Sequence, residues 1–147
     1  MPSGFYSAKT GVSTPSSRAK HHHVVGKVEI DIDSGDAGII YLVFPSHADA
    51  LADWNETDVG HQHGVKSQLA APGFPTPALI VNSSFTGNNV FGKKVTNGVS
   101  TLVFVTANVI VDAVTISTSN TDSGDVPATV ELGKLALRHL RSVQPTT

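Results

Sequence analysis

The sequence predicts an all-β domain, built as a β-sandwich, a jelly-roll-like pair of sheets or a small barrel, with one short helix near 46–54 and extended terminal arms. Three observations lead there. The stretch Ser100–Asn120 is dominated by β-branched residues and holds neither Gly nor Pro. Val, Ile and Thr are stiff at χ1 and pack well on a pleated surface, so such a run favours strands over helix. Val24–Asp33 alternates polar Lys27, Glu29 and Asp31 with apolar Val28, Ile30 and Ile32, the period-2 pattern of a half-buried strand. The composition, rich in Ser, Thr, Val, Ala and Gly and poor in Met and Glu, suits short strands joined by tight turns.

Residues 1–20 read as an arm, because Gly4, Gly11, Pro15 and the Ser-Ser-Arg stretch oppose regular structure. A single β-rich domain is expected over 21–141, followed by a polar tail over 142–147. The strand over Val24–Asp33 turns at Asp33-Ser34-Gly35-Asp36 and returns over Ile39–Phe44. Gly35 is suited to the positive φ of such a turn. The same tetrad recurs as Asp122-Ser123-Gly124-Asp125, which reads as repeated turn chemistry rather than duplication. After Pro45, Ser46 is placed to cap a helix, and Asp49 three residues on completes a capping box. Asn55–Thr76 holds Gly60, Gly64, Pro72, Gly73 and Pro75 and reads as one long irregular segment of the kind that forms interfaces.

A strand is expected over Ala78–Asn82, a hairpin turn at Thr86-Gly87-Asn88-Asn89, and a second turn at Val95–Gly98 leading into the central run. Within that run Thr106-Ala107-Asn108 divides two strands. Pro127–Leu132 reads as strand with Gly133 as a bulge. Residues 134–141 fit either a strand or a helix, and the β context tips the choice to strand. The expected core is Val28, Ile30, Ile40, Leu42, Trp54, Val103, Val105, Val114, Ile116 and Val130, with Phe85 beside Trp54 among the buried aromatics.

The chain carries ten Lys and Arg against twelve Asp and Glu, a formal charge of −2. Scattered basic residues in a weakly acidic chain argue against nucleic acid as a partner. The most apolar run is broken by Thr106, Asn108 and Asp112 short of the roughly 20 residues a helix needs to cross a bilayer, so no membrane is expected either. The first residues lack the apolar stretch of a secretory signal. There is no Cys, hence no disulfide and no thiol nucleophile. No Gly-x-Ser-x-Gly elbow, Gly-x-Gly-x-x-Gly loop or P-loop occurs, so no enzymatic activity and no cofactor are expected.

The histidines are the candidate ligands. His61-Gln62-His63 sets two imidazoles on one side of an extended chain, and a third ligand would complete a zinc-like site. The Asp-rich turn at 31–36 resembles a calcium loop only in composition; it lacks the twelve-residue spacing and terminal Glu of an EF-hand. The candidate interface residues are Phe5, Tyr6, His61, His63 and Phe74. Together these features lead to the expectation of a non-enzymatic structural protein of a large assembly. The closest fit is a phage-type virion component such as a capsid decoration or cement protein on the outer surface of the particle. It would be assembled in the host cytoplasm, bridge neighbouring subunits of the major shell protein, and form a homo-oligomer with a trimer favoured. The alternatives are another virion part such as a tail component, or a metal- or carbohydrate-binding β-module using the His61/His63 loop.

Overall fold

In the computed structural model, residues 6–11 (backbone), 24–32, 36–61 and 64–143 are described. The chain order is β1 (Tyr6–Gly11), β2 (Gly26–Ile32), β3 (Ala37–Val43), α1 (His47–Thr57), a single 3-10 turn (Val59–His61), β4 (Val65–Leu69), β5 (Ala78–Asn88), β6 (Lys94–Thr106), β7 (Val109–Ser117) and α2 (Val126–Val143). The strands form one seven-stranded sheet in the order β1-β2-β3-β7-β6-β5-β4, and every neighbouring pair is antiparallel. The protein is therefore largely β with a short helix over the predicted region. Among the described residues each face of the sheet is met by a helix and not by a second sheet, and the strands order as an open sheet instead of a sandwich or barrel.

The central hairpin forms as the β-branched run demands. β6 and β7 pair from Gly98↔Ser117 to Thr106↔Val109, and the turn between them places Ala107 at φ 49°. β6 is longer than predicted. It runs unbroken through Val95–Gly98, where the sequence suggested a turn, because β5 continues beside it to Asn88↔Lys94. The turn falls at residues 89–93 instead of 86–89. Tyr6–Gly11, expected to lie in an irregular arm, pairs with β2, whose outer edge otherwise presents unpaired backbone groups.

Alternation sends successive side chains to opposite faces, so the sheet has two cores. On one face Ile39, Tyr41, Leu102, Phe104, Val111 and Ala113 meet Leu132, Ala136, Leu137 and Leu140 of α2. On the other, Leu42, Phe44, Val103, Val105 and Ile110 meet Ala50 of α1, with Leu51 and Trp54 alongside. The helix α2 corrects the strands expected over 127–132 and 134–141. Its apolar residues recur three and four apart, and that spacing buries a stripe only in a helix. Its start is also legible in retrospect: Pro127 stands in the first turn, and Asp125 Oδ1 accepts from Ala128 N at 3.1 Å. Gly133 is not a bulge. It is the point of closest approach, where a Cβ would lie 2.2 Å from Leu102 Cδ2.

The start of α1 follows the predicted capping box, with Asp49 N donating to Ser46 Oγ at 3.1 Å. The junction before it is clamped to the β6–β7 turn. Phe44 N donates to Asn108 O at 2.8 Å, Asn108 Nδ2 donates to Phe44 O at 2.8 Å, and His47 Nδ1 donates to Ala107 O at 2.6 Å. The segment read as irregular over 55–76 contains the last residues of α1, the 3-10 turn and β4.

A row of small polar residues crosses the α2 face. Ser67, Asn82, Ser100 and Thr115 are direct cross-strand neighbours. Asn82 Nδ2 donates to Ser67 Oγ at 3.1 Å, and Ser100 Oγ donates to Asn82 Oδ1 at 2.6 Å. Ser100 Oγ also accepts from Gly124 N at 3.0 Å. Thr115 Oγ1 accepts from Asp125 N at 2.9 Å and lies 2.7 Å from Thr129 Oγ1. The row fastens the loop before α2 to the sheet, and Gly98 and Gly124 make the approach possible. A Cβ on Gly98 would stand 2.1 Å from Ser123 O, and one on Gly124 2.3 Å from Thr115 O.

Of the residues expected in the core, Leu42, Val103 and Val105 are buried, and Val28, Ile30, Ile40, Trp54 and Val130 are partly buried beside the two cores. Ile116 does not join them. It is 36 % exposed, and its neighbour Val114 is only half-buried, because α1 stops short of that end of the sheet. Phe85, expected inside, is 59 % exposed.

Two stability predictions follow from these contacts. Ser100→Ala leaves Gly124 N and Asn82 Oδ1 without their partner in a dry site, so it should destabilise the fold by about 1–3 kcal/mol in chemical denaturation. Burial raises the pKa of Tyr41. The unfolded chain then loses that proton first as pH rises, so the contribution of Tyr41 is intact below its ordinary value of about 10 and is lost as pH climbs through the folded value. Tyr41→Phe should flatten the alkaline limb of a stability-against-pH curve.

Candidate functional site

The site is built from two parts of the β-sheet that the helices leave uncovered. The first is a ribbon. β4 leaves β5 at Val65↔Ser83, and β7 leaves β6 at Gly98↔Ser117. Beyond those points, among the described residues, β5 and β6 pair only with each other, through Phe85↔Asn97, Thr86↔Thr96, Gly87↔Val95 and Asn88↔Lys94. At roughly 3.4 Å per residue, this two-stranded arm and its turn project on the order of 15 Å from the sheet. The turn is held by one side chain. Asn89 Oδ1 accepts from Phe91 N at 2.9 Å and from Lys93 N at 3.0 Å, while Asn89 N donates to Lys93 O at 2.8 Å. Gly92, at φ 75°, supplies the left-handed residue that closes it. Displayed on this turn are Val90 and Phe91, 93 % and 89 % exposed.

The second part is the end of the sheet beyond α1. By register, Ile40, Val114, Ile116, Val99 and Phe85 share the face that α1 covers elsewhere. Between β2 and β3 on this face lies a hollow of about 180 Å3, bordered by Glu29, Asp31, Gly38, Ile40 and Val114. It exists because Gly38 puts no side chain between its neighbours. Lys27 Nζ reaches Glu29 Oε1 at 2.5 Å, which leaves Asp31 as the exposed carboxylate at the rim.

The residues predicted for an interface or a metal are dispersed. Phe74 turns inward, its ring centroid 5.2 Å from that of Phe104, so it serves the α2 core. His61 is exposed, with Nδ1 2.8 Å from Asp58 Oδ1, a solvated pair of the kind worth little to stability. Phe5 and His63 lie outside the described residues, as do Asp33 and Gly35 of the acidic turn and the side chain of Tyr6. Among the described residues, no group of three or more His, Asp and Glu side chains gathers as a metal site. No helix there is long and apolar enough to cross a membrane. No family model, curated protein or solved structure matches the chain.

The ribbon tip escaped the sequence reading although its signal is present. In Asn88-Asn89-Val90-Phe91-Gly92-Lys93-Lys94, two large apolar residues sit inside turn chemistry, where nothing of the chain's own core can reach them. If the tip is free of its own fold, replacing it should leave the fold intact. Val90→Ser/Phe91→Ser should keep unfolding free energy within about 0.5 kcal/mol of the parent in urea titration. A larger loss would mean that the tip packs on its own chain.

Proposed function

We propose that the chain is a non-enzymatic structural subunit of a large assembly, a phage-type virion component such as a capsid decoration or cement protein. In this reading it sits on the outer surface of the particle, is assembled in the host cytoplasm, and bridges neighbouring subunits of the major shell protein as a homo-oligomer, with a trimer favoured. The observation that supports it is the projecting ribbon with Val90 and Phe91 displayed to solvent. An isolated two-stranded hairpin is marginal in water, and large apolar side chains at its tip gain free energy only by leaving water. A protruding, turn-locked apolar tip is a grip on another protein chain, and copies linked through such grips bind a lattice strongly by avidity. The mechanism is mechanical: the sheet is a stiff body, and the ribbon and the uncovered face carry the contacts. The reading calls on no nucleic acid, membrane or cofactor.

The test is the composition of particles from the native source. Density-banded particles should contain the chain by mass spectrometry. After it is stripped off, added wild-type protein should rebind and raise the melting temperature of the shell, whereas the Val90→Ser/Phe91→Ser protein should rebind at least about tenfold more weakly, the loss of roughly 1.4 kcal/mol of anchoring. Absence of the chain from banded shells would end the decoration reading, and its appearance with detached tails alone would move it to a tail component.

A further inference from the structure

We propose that the ribbon of one copy docks in the Gly38 hollow of a second copy, with Phe91 filling the hollow and Lys93 and Lys94 facing Glu29 and Asp31; this names the partner of the ribbon and rests on reading the chain as an assembly subunit. Three observations fit together. The first is size. The hollow measures about 180 Å3, and an apolar cavity of about 150 Å3 already accepts a benzene ring. The second is chemistry. Ile40 and Val114 line the hollow, and Phe91 is the ring that the chain leaves 89 % exposed.

The third is charge. Between Ser84 and Gly98 the ribbon carries Lys93 and Lys94 and no acidic residue. The hollow is bordered by Glu29 and Asp31; Lys27 already pairs with Glu29, so the rim keeps one net negative charge, centred on exposed Asp31. Complementary fields of this kind fix register and disfavour wrong partners. The ribbon continues β5 and β6, while the hollow lies between β2 and β3 with β7 in between, so the contact is assigned to a second copy. It joins two different patches, and such contacts close into rings when the rotation between copies allows it and otherwise continue as filaments.

A defined ring with the trimer favoured above is the expected product. Gly92 and Asn89 matter here because they fix the turn before contact, so little ordering remains to be done on docking.

Charge reversal tests this: Lys93, Lys94 and Asp31 are exposed and Glu29 is half-buried, so the melting temperature of each variant is read beside its oligomeric state. Light scattering on the wild-type protein should give a discrete oligomer. Lys93→Glu/Lys94→Glu should be monomeric at concentrations where the wild type is fully associated, with an unchanged melting temperature. Glu29→Lys/Asp31→Lys should be monomeric as well. The quadruple variant carrying both reversals should regain the oligomer, and the two double variants, each monomeric alone, should associate with each other when mixed, because each ribbon then matches only the other variant's hollow. A monomeric wild type overturns the proposal. So does an oligomer indifferent to the reversals, or one that the double variants break and the quadruple variant does not restore. Failure here is distinct from failure of the assembly reading: a monomer that still bands with particles removes only the ribbon-to-hollow contact, and an oligomer absent from every particle removes only the virion role.

Discussion

The structure turns on a mismatch between a sheet with two apolar faces and two helices of unequal length. A strand rich in Val, Ile and Leu on both sides needs cover on both sides. The helix α2, with eighteen residues, spans its face and seals it with Leu132, Ala136, Leu137 and Leu140. The helix α1 has eleven and protects only the end of the opposite face where Phe44, Val105 and Ile110 lie. The remainder, from half-buried Val114 to exposed Ile116, is left without a helix over it. The candidate site is what this shortfall leaves behind.

The two helices are held by different physics. α1 is placed by its capping box and by the clamp between the β3–α1 junction and the β6–β7 turn, which joins the helix to the central hairpin of the sheet. α2 is placed by close approach. Gly133 lets it settle onto Leu102, and the polar row from Ser67 to Thr115 ties down the loop that leads into it. Buried polar groups of this kind stabilise only when every member is satisfied. Here the row gives one seating for α2, whereas apolar contact alone would tolerate sliding.

The sequence made the hairpin, its dividing turn at Ala107 and the Ser46 cap legible because each rests on local chemistry: χ1 stiffness, turn residues and a side chain three positions from its donor. It hid α2 because Leu132, Leu135, Leu137 and Leu140 satisfy a strand pattern and a helix pattern in part, and the β-rich neighbourhood weighted the choice toward strand. What decided it was tertiary, a bare sheet face of the length of a helix. The misplacement of Ile116 and Phe85 has the same root. Period-2 alternation reveals that a residue shares a face with core residues, but not whether that face is covered at that point along the strand. The histidine pair drew attention through residue type alone, yet His61 ends in a solvated pair with Asp58, while the apolar tip was passed over because turns are read for polar residues.

A projecting ribbon would be a liability if it were soft. Two strands without neighbours lose little by fraying, and an exposed Phe on a mobile loop invites non-specific association. Three features restrain this one. Asn89 holds the turn with a single carbonyl that accepts two backbone donors. Thr86 and Thr96 join the strands through hydroxyls 2.9 Å apart, and the ring of Phe85 lies over Gly87, whose Cβ position is 3.0 Å from it. Lys93 and Lys94 beside the tip add a second filter, because like charges repel wrong encounters with other ribbons. A turn fixed in advance and ringed by one sign of charge has the properties of a selective contact, since the ordering cost of association is met during folding and the remaining free energy goes to the complementary surface.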